Sequence, residues 1–341
     1  MSEKRYEVAV VGATSVVGET IIEMLADREF PVATLYPLAG EAEAGGRVQF
    51  GSKNVSVKSL AEFDFSKVQI AFFAADCETA AEYAPIAAGM GCVVIDNSAE
   101  FRLDDDVPLV VPEVNPEEIA QYNQSYIIAN PNCSTIQMVV ALKPIHDAVG
   151  IERINVATYQ AVSGTGKAAI EELASQTAAL LNCKSLESKV YSKQIAFNVL
   201  PLVGAIQDNG YTREEMDIVS ETKRLMGGDA LQVNPTTVSV PVFFGHSAAI
   251  HLETKQSITV DTAKALLGSA PGVEVVDEVE SGSYPTAVSE SAGQDSVFVG
   301  RIREDVSHPR GLDLWVVADN VRKGAALNSI QIAEILIKDY M

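Results

Sequence analysis

The sequence predicts an α/β fold with two domains, the first of them built on a parallel sheet. Three observations predict it. The length of 341 residues exceeds that of one average domain. Short, continuous apolar runs alternate with helical patterns over the first ~130 residues, and longer segments of alternating polarity follow. Buried parallel strands read as continuous apolar runs, whereas half-buried strands alternate.

The first domain begins with an apolar strand at residues 7–11, a turn of small residues at 12–18 and an amphipathic helix at 19–26. Apolar runs predict four more strands, and the pattern between the second and third of these runs predicts a helix at 78–88. The four runs are residues 33–38, 68–75, 92–95 and 126–129.

Beyond Cys133 the pattern is that of a mostly antiparallel sheet with a helix at 167–181 packed on it. The alternating segments are residues 154–162, 233–244, 248–253, 296–303 and 312–317. A last apolar helix pattern at 325–337 is predicted to return to the first domain. We therefore expect a first domain of residues 1–132 with 325–341, and a second of residues 133–324.

Composition excludes several classes of function. Apolar residues make up 47% and charged residues 21%, which is typical of a globular protein with substantial cores. The net charge of -21 argues against nucleic acid and anionic membranes as partners. The polar N-terminus contains no secretory segment and no apolar run is long enough to span a bilayer, so we expect a cytoplasmic protein. The four cysteines and four histidines are scattered, so no metal site is expected.

Cys133 is the first candidate for chemistry. It follows Asn130-Pro131-Asn132 and lies between an apolar strand and an apolar helix pattern. At a helix N-terminus the free N–H groups and the helix dipole favour the thiolate, which is the nucleophilic form of cysteine. The alternative is a small buried hydrophobic residue. Position alone leaves both interpretations open.

The turn between the first strand and the first helix is a candidate phosphate loop, because a dinucleotide places its phosphates at such a helix N-terminus. A serine stands where the middle glycine of the usual spacing is expected, so a tight turn without a ligand is the alternative. The candidate cofactor-binding residues are Gly12, Thr14, Ser15, Val16, Val17 and Gly18.

Several motifs together make the chain resemble the aspartate-semialdehyde dehydrogenase family over essentially all of its length. They are residues 12–18, 96–102, 130–135, 160–167, 194–198, 245–246 and 314–320. The resemblance implies an oxidoreductase of amino-acid biosynthesis with a Rossmann-type NAD(P)-binding domain and an α+β catalytic and dimerisation domain. It also implies a homodimer or a larger assembly.

The resemblance implies a role for each matching residue. Cys133 is the nucleophile that attacks the aldehyde, and phosphate resolves the resulting thioester; His246 is the acid/base and Gln160 orients the intermediate. The remaining matches bind substrate and phosphate (Glu221, Arg102, Arg224, Asn132) or cofactor (Ser163, Gly164, Asn320). Glu221 matches a carboxylate for the substrate ammonium, Arg102 a phosphate-site arginine, and Arg224 stands at the family's lysine. A solvated surface charge is the alternative for both arginines.

Two departures from the family pattern bear on substrate and cofactor. Ser239 stands where the family has an arginine that grips the substrate carboxylate, and loss of such a pair costs about 2 to 5 kcal/mol. After the second strand, Glu41 and Glu43 replace groups that hold the 2′-phosphate of NADP, which favours NAD. The alternative is that both carboxylates point into solvent. Residues 74–77 also add bulk near the expected nucleotide.

These departures resemble those of the Usg-type paralogue of the family. Two hypotheses follow. One is an NAD(P)-dependent enzyme that oxidises aspartate semialdehyde or a related aldehyde by a cysteine thioester mechanism. The other is a catalytically impaired, dimeric binding or regulatory protein.

Overall fold

The computed structural model describes residues 4–341, apart from the side chain of Val279. They form two compact units, one of residues 4–132 with Ala325–Met341 and one of Cys133–Gly324. Residues 1–3, the beginning of the polar N-terminus for which no secretory segment is predicted, lie outside the described residues. In the described part of the chain, no helix is long and apolar enough to cross a membrane.

The first unit combines a parallel sheet with α-helices. Its strands are β1 (Tyr6–Val11), β2 (Val32–Ala39), β3 (Arg47–Phe50), β4 (Lys53–Ser56), β5 (Lys58–Ser59), β6 (Ile70–Phe73), β7 (Val93–Asp96) and β8 (Ile127–Ala129). Its helices are α1 (Val16–Asp27), α2 (Cys77–Gly89) and α7 (Leu327–Asp339). Six strands form the parallel sheet in the order β5-β2-β1-β6-β7-β8, and β3 and β4 form an antiparallel pair. The predicted α/β fold is confirmed.

The core of the first unit explains its continuous apolar runs. Val8, Val10, Ile70 and Phe72 are 0% exposed in the middle of the sheet. Helix α7 contacts α1 and β7, and its residue Ile330 belongs to the same core. Burial of apolar side chains like these contributes roughly 1.5–3 kcal/mol each.

The second unit is a six-stranded sheet with helices. Its strands are β9 (Ile151–Gln160), β10 (Gln232–Ser239), β11 (His246–Thr254), β12 (Val273–Val275), β13 (Val297–Glu304) and β14 (Gly311–Ala318). Its helices are α3 (Cys133–Val149), α4 (Lys167–Leu181), α5 (Arg213–Met226) and α6 (Val260–Ser269). The strand order is β10-β9-β11-β14-β13-β12, and α3 contacts β9, β11, β13 and β14.

The second sheet is mixed but mostly antiparallel, as expected, with three antiparallel and two parallel pairings among the described strands. β11 pairs antiparallel with β9 and β14, and β13 with β14, but β10 runs parallel to β9 and β12 parallel to β13. The strand expected at 233–244 ends at Ser239. Pro241 follows two residues later and has no N–H for a ladder hydrogen bond, so the regular ladder ends, although the Val162 and Ser163 N–H groups still donate to the Val242 and Phe243 oxygens.

Candidate active site

Cys133 is the first residue of α3. The thiol therefore lies in the first helical turn, where backbone N–H groups have no partner inside the helix. The residue is half-buried. A Cβ on Gly324 would lie 2.7 Å from the Cβ of Cys133, so only glycine at that position leaves the cysteine in place. By contrast, burial raises the pKa of Cys92 to about 12, and Cys77 and Cys183 are exposed.

His246 begins β11 and is 0% exposed. Its Nδ1 accepts a hydrogen bond from the Ala161 N–H at 3.1 Å, so in the neutral imidazole the proton is on Nε2. Nε2 is buried and has no hydrogen-bond partner among the described residues. Burial lowers the pKa of His246 to about 3. The side chain is therefore a neutral imidazole near pH 7, with one buried donor left to satisfy.

The predicted cofactor residues of the second unit surround this imidazole. A Cβ on Gly164 would lie 3.1 Å from Nε2 of His246, so a side chain there would fill the space in front of the ring. Asn320 Oδ1 accepts from the Gly245 N–H at 3.0 Å and from the Ser163 hydroxyl at 3.1 Å. Asn320 thus holds the turn that carries His246 against the turn that carries Gly164.

Gln160, at the end of β9, has a side-chain amide held by three oxygens. Its Nε2 lies 2.9 Å from Glu214 Oε1, 3.1 Å from Ser134 Oγ and 3.4 Å from Thr158 Oγ1. Ser134 is the residue after Cys133, so this network joins β9 to the helix turn that carries Cys133.

Glu214 is a residue of this site that the sequence analysis missed. It lies in the first turn of α5, a helix that was also missed. The signal was present: Thr212 and Glu215 form a capping box, with the Glu215 N–H donating to Thr212 Oγ1 at 3.2 Å and the Thr212 N–H to Glu215 Oε2 at 2.8 Å. Residues seven apart lie on one helix face, so Glu214 and Glu221 share a face of α5.

The predicted substrate residues of the second unit differ in burial. Glu221 is 1% exposed, whereas Arg224 is exposed one turn further along α5. Ser239 is buried at the end of β10, directly opposite Gln160 in the parallel register. Side chains paired in this way point to the same face of a sheet, so Ser239 lies beside Gln160.

In the first unit, backbone contacts shape the predicted phosphate loop. A Cβ on Gly12, which has φ +73°, would lie 2.3 Å from the Ala74 carbonyl oxygen, and one on Gly18 would lie 2.1 Å from the Gly12 oxygen. Ser15, in place of a glycine, is the N-cap of α1: its Oγ accepts from the Gly18 N–H and donates to the Ala74 oxygen, each at 3.0 Å. The start of α1, with Val16 and Val17 in its first turn, therefore fits a pyrophosphate.

Arg102 and Asn132 are buried, at 8% and 7% exposure. Arg102 donates from Nε to the Asn130 oxygen at 3.0 Å and from Nη2 to the Asn97 oxygen at 2.9 Å. A solvated surface charge is therefore the wrong interpretation of this arginine. Part of its donor fork holds the loop that precedes Cys133.

The acidic turn after β2 is exposed at both Glu41 and Glu43. In the loop at 74–77, Asp76 is the N-cap of α2, and its Oδ1 accepts from the Thr79 N–H at 2.8 Å. Part of the unusual sequence of this loop is thus a helix cap. Within the described residues, no group of three or more His, Cys, Asp or Glu side chains could hold a metal ion.

Comparison with known proteins identifies the family. A model of the semialdehyde dehydrogenase NAD-binding domain matches residues 7–122, and one of the semialdehyde dehydrogenase dimerisation domain matches residues 142–323. An aspartate-semialdehyde dehydrogenase of Shewanella sp. (strain DB6705) is 59% identical over 337 residues, 99% of each chain. The chain belongs to the aspartate-semialdehyde dehydrogenase family.

Solved structures of aspartate-semialdehyde dehydrogenases share this fold. Enzyme II of Vibrio cholerae, complexed with ASA, has 54% sequence identity and a TM-score of 0.97, covering 99% of this chain and 100% of that chain. An enzyme of Candida albicans with NADP has the same fold at 24% identity, with a TM-score of 0.77 and coverage of 98% and 99%. The family resemblance inferred from the sequence is confirmed.

Gly324→Ala is expected to slow alkylation of Cys133 by iodoacetamide at least about tenfold, because the added methyl group displaces the cysteine from the first turn of α3. In the unmodified protein we expect Cys133 to react faster than Cys77 and Cys183. Mass spectrometry after brief treatment measures both. Gly268→Ala is the control, since no atom lies within 4 Å of its added Cβ. Equal rates in the two variants would contradict the steric argument.

The burial of His246 predicts acid sensitivity. The unfolded imidazole takes up a proton near pH 6.5 and the folded one only near pH 3, so the unfolded state binds more protons between these values. The free energy of unfolding is unaffected by this group above pH ~6.5 and falls below it, by at most about 1.4 kcal/mol per pH unit.

His246→Asn is expected to remove this contribution to the fall in the free energy of unfolding with decreasing pH. Urea unfolding between pH 5 and 8 measures it, with His308→Asn as the control. A slope unchanged from that of the unmodified protein would show that the imidazole is protonated in the folded state.

Proposed function

We propose that the chain catalyses the NAD(P)-dependent, phosphorylating oxidation of aspartate semialdehyde, and the reverse reaction in the biosynthetic direction. The observation that carries the proposal is the arrangement around His246, whose only unsatisfied donor faces the space that Gly164 leaves open. The full-length similarity to named aspartate-semialdehyde dehydrogenases supports it.

The covalent steps belong to Cys133. Attack of its thiolate forms the Sγ–C bond and moves the carbonyl π electrons onto oxygen. NAD(P), which the loop Gly12–Gly18 and residues Ser163, Gly164 and Asn320 would hold, would accept the hydride that leaves the former aldehyde carbon, so that the adduct becomes a thioester. Phosphate then attacks the thioester carbon, the C–S bond breaks, and Cys133 is released as the thiolate. The positive end of the α3 dipole, at the first turn of the helix, lowers the energy of the thiolate in both steps.

His246 contributes as a neutral imidazole. With Nδ1 occupied by the Ala161 N–H, the Nε2–H is the group available to the substrate oxygen as negative charge develops on it. The low pKa of His246 disfavours a long-lived imidazolium. The geometry therefore supports the acid part of the acid/base role that the family resemblance assigns, in which Nε2–H is the donor.

Substrate and cofactor contacts follow the family pattern. Glu221 binds the substrate ammonium, Arg102 and Arg224 bind phosphate, Asn132 and Gln160 orient the substrate, and Ser163, Gly164 and Asn320 line the nicotinamide side. The loop Gly12–Gly18 holds the pyrophosphate.

The impaired, Usg-type alternative depends on Ser239 and on the acidic turn. Nothing in the comparisons indicates such a paralogue, and the relatives described above are named as dehydrogenases. The proposal is therefore the enzyme.

A homodimer is part of this proposal, since the dimerisation-domain model spans most of the second unit. Along β9, β11 and β14 one set of alternate side chains is buried, while the other, including Tyr159, His251 and Trp315, is only half-buried. The rings of Tyr159 and Trp315 lie 5.5 Å apart on this face. Such a half-exposed aromatic surface suits a second copy of the chain.

The unmodified protein is expected to reduce NAD(P) in the presence of aspartate semialdehyde and phosphate, followed at the absorbance of the reduced nicotinamide. Cys133→Ser should abolish the reaction. Ser239→Arg should raise kcat/KM about tenfold, or ~1.4 kcal/mol, because it restores a bidentate partner for the substrate carboxylate.

Ser239→Met is the control for side-chain length without charge. If the arginine and methionine variants have the same kcat/KM while both remain folded, the carboxylate does not bind at position 239. No turnover by the unmodified protein with either dinucleotide would overturn the proposed function itself.

For the cofactor we propose NAD over NADP, because Glu41 and Glu43 place negative charge after β2, where NADP requires groups that neutralise its 2′-phosphate. Replacing Ala42 and Glu43 together by Arg and Ser is expected to strengthen NADP binding about tenfold and reverse the order. Calorimetric titration measures both affinities. The same change at Ala61 and Glu62, also an exposed pair, is the control. Equal affinity for both dinucleotides in the unmodified protein would refute the preference.

A further inference from the structure

We propose that Glu214 is a positioning residue that fixes the Gln160 amide, so that the amide oxygen joins Glu221 in recognising the substrate ammonium. This inference rests on the proposed function. It extends that function to the amide oxygen of Gln160 and to Glu214, a residue with no assigned role. It starts from one contact, the 2.9 Å hydrogen bond from Gln160 Nε2 to Glu214 Oε1.

The carboxylate decides which way the Gln160 amide points. An ionised carboxylate only accepts hydrogen bonds, so the side of the amide that faces Glu214 must be the NH2 group. The second amide N–H is directed to the Ser134 hydroxyl at 3.1 Å. Both donors of Gln160 are thereby engaged, and they are not available to an oxyanion.

The amide oxygen is the part of Gln160 left for the substrate. Gln160 is 6% exposed, and its Oε1 has no hydrogen-bond partner among the described residues. An amide oxygen accepts hydrogen bonds and carries partial negative charge, so it suits an ammonium group and not a carboxylate.

Helix α5 gives Glu214 a defined place. The capping box fixes the start of the helix, and Glu215 Oε1 also accepts from the Thr237 N–H of β10 at 2.9 Å. Since β10 pairs with β9, this bond sets Glu214 against the end of the strand that carries Gln160. Glu221 follows two turns along the same face, about 10 Å away.

The acceptors that α5 and β9 provide around Gln160 favour a cation, whereas Arg102 and Arg224 belong to the proposed phosphate contacts. Two carboxylates and an amide oxygen are provided by α5 and β9, and the neutral Ser239 occupies the neighbouring position of β10. These side chains therefore suit the substrate ammonium better than the substrate carboxylate.

Glu214→Gln tests the proposal, because it keeps the size of the side chain and allows the Gln160 amide to turn. We expect kcat/KM for aspartate semialdehyde to fall about tenfold, mostly through KM. Succinate semialdehyde, which is the same aldehyde without the ammonium, should lose less than about twofold. Glu214→Asp keeps the carboxylate and should recover part of the loss.

The matched control is Asp261→Asn. Asp261 occupies the same position of α6 as Glu214 does of α5, the second helical residue after a threonine N-cap whose hydroxyl accepts a backbone hydrogen bond. It therefore measures the loss of a favourable charge at a helix N-terminus. Equal losses in Asp261→Asn and Glu214→Gln, or equal losses on both aldehydes, would overturn the proposal.

A double-mutant cycle separates positioning from a direct role. If Glu214 acts through Gln160, Glu214→Gln has no further effect in a Gln160→Ala background; a full additional loss there would overturn the inference.

Nitrogen-15 NMR of the Gln160 side-chain amide provides a measurement that does not need turnover. Its proton resonances should shift in Glu214→Gln and stay in place in Asp261→Asn. A failed proposed function would appear as an inactive unmodified protein, and the resonances would still decide whether Glu214 positions Gln160.

Discussion

The hydrogen bond from the Ala161 N–H to Nδ1 of His246 is the interaction on which the second-unit site depends. It joins the residue after β9 to the first residue of β11, and it sets the tautomer of a ring that burial keeps neutral. If Nδ1 carried a proton, two N–H groups would face each other and the bond would be lost. The contacts of Asn320 then hold the turns on either side of the ring, so the Nε2–H has a fixed direction before any substrate arrives.

Much of the fold could be predicted from the sequence, because continuous apolar runs distinguish buried parallel strands from half-buried ones. Helix α4 has the bounds that the pattern predicted. The direction of β10 could not be predicted in this way, since alternation of polarity is the same for parallel and antiparallel half-buried strands. Helix α5 was missed because its first turn is charged, and its capping box was the only strong signal there.

The candidate site was predictable where a motif lies within a few residues and not where partners are distant in sequence. Cys133 and the loop after β1 each lie in a short segment whose own residues indicate its structure. Glu214 does not: its place follows from a hydrogen bond to a residue 54 positions away. Ser15 is an intermediate case. Its departure from the glycine pattern weakened the motif, yet the structure shows that it caps α1, which is a local function that the sequence could have indicated.

Because Ser239 is neutral, other side chains of the site must orient the substrate. With an arginine at this position, a substrate bearing both a carboxylate and an ammonium would be held at two points, and the aldehyde carbon would be placed by both. Without it, more of the orientation depends on the ammonium end, where the proposed acceptors are Glu221 and the Gln160 oxygen. An amide free to rotate would present a donor there half of the time, and a donor repels an ammonium. The fixed direction of the Gln160 amide therefore matters more with a serine at position 239 than it would with an arginine there. For this reason the contact with Glu214 and the neutral Ser239 bear on the same question of how the substrate is held.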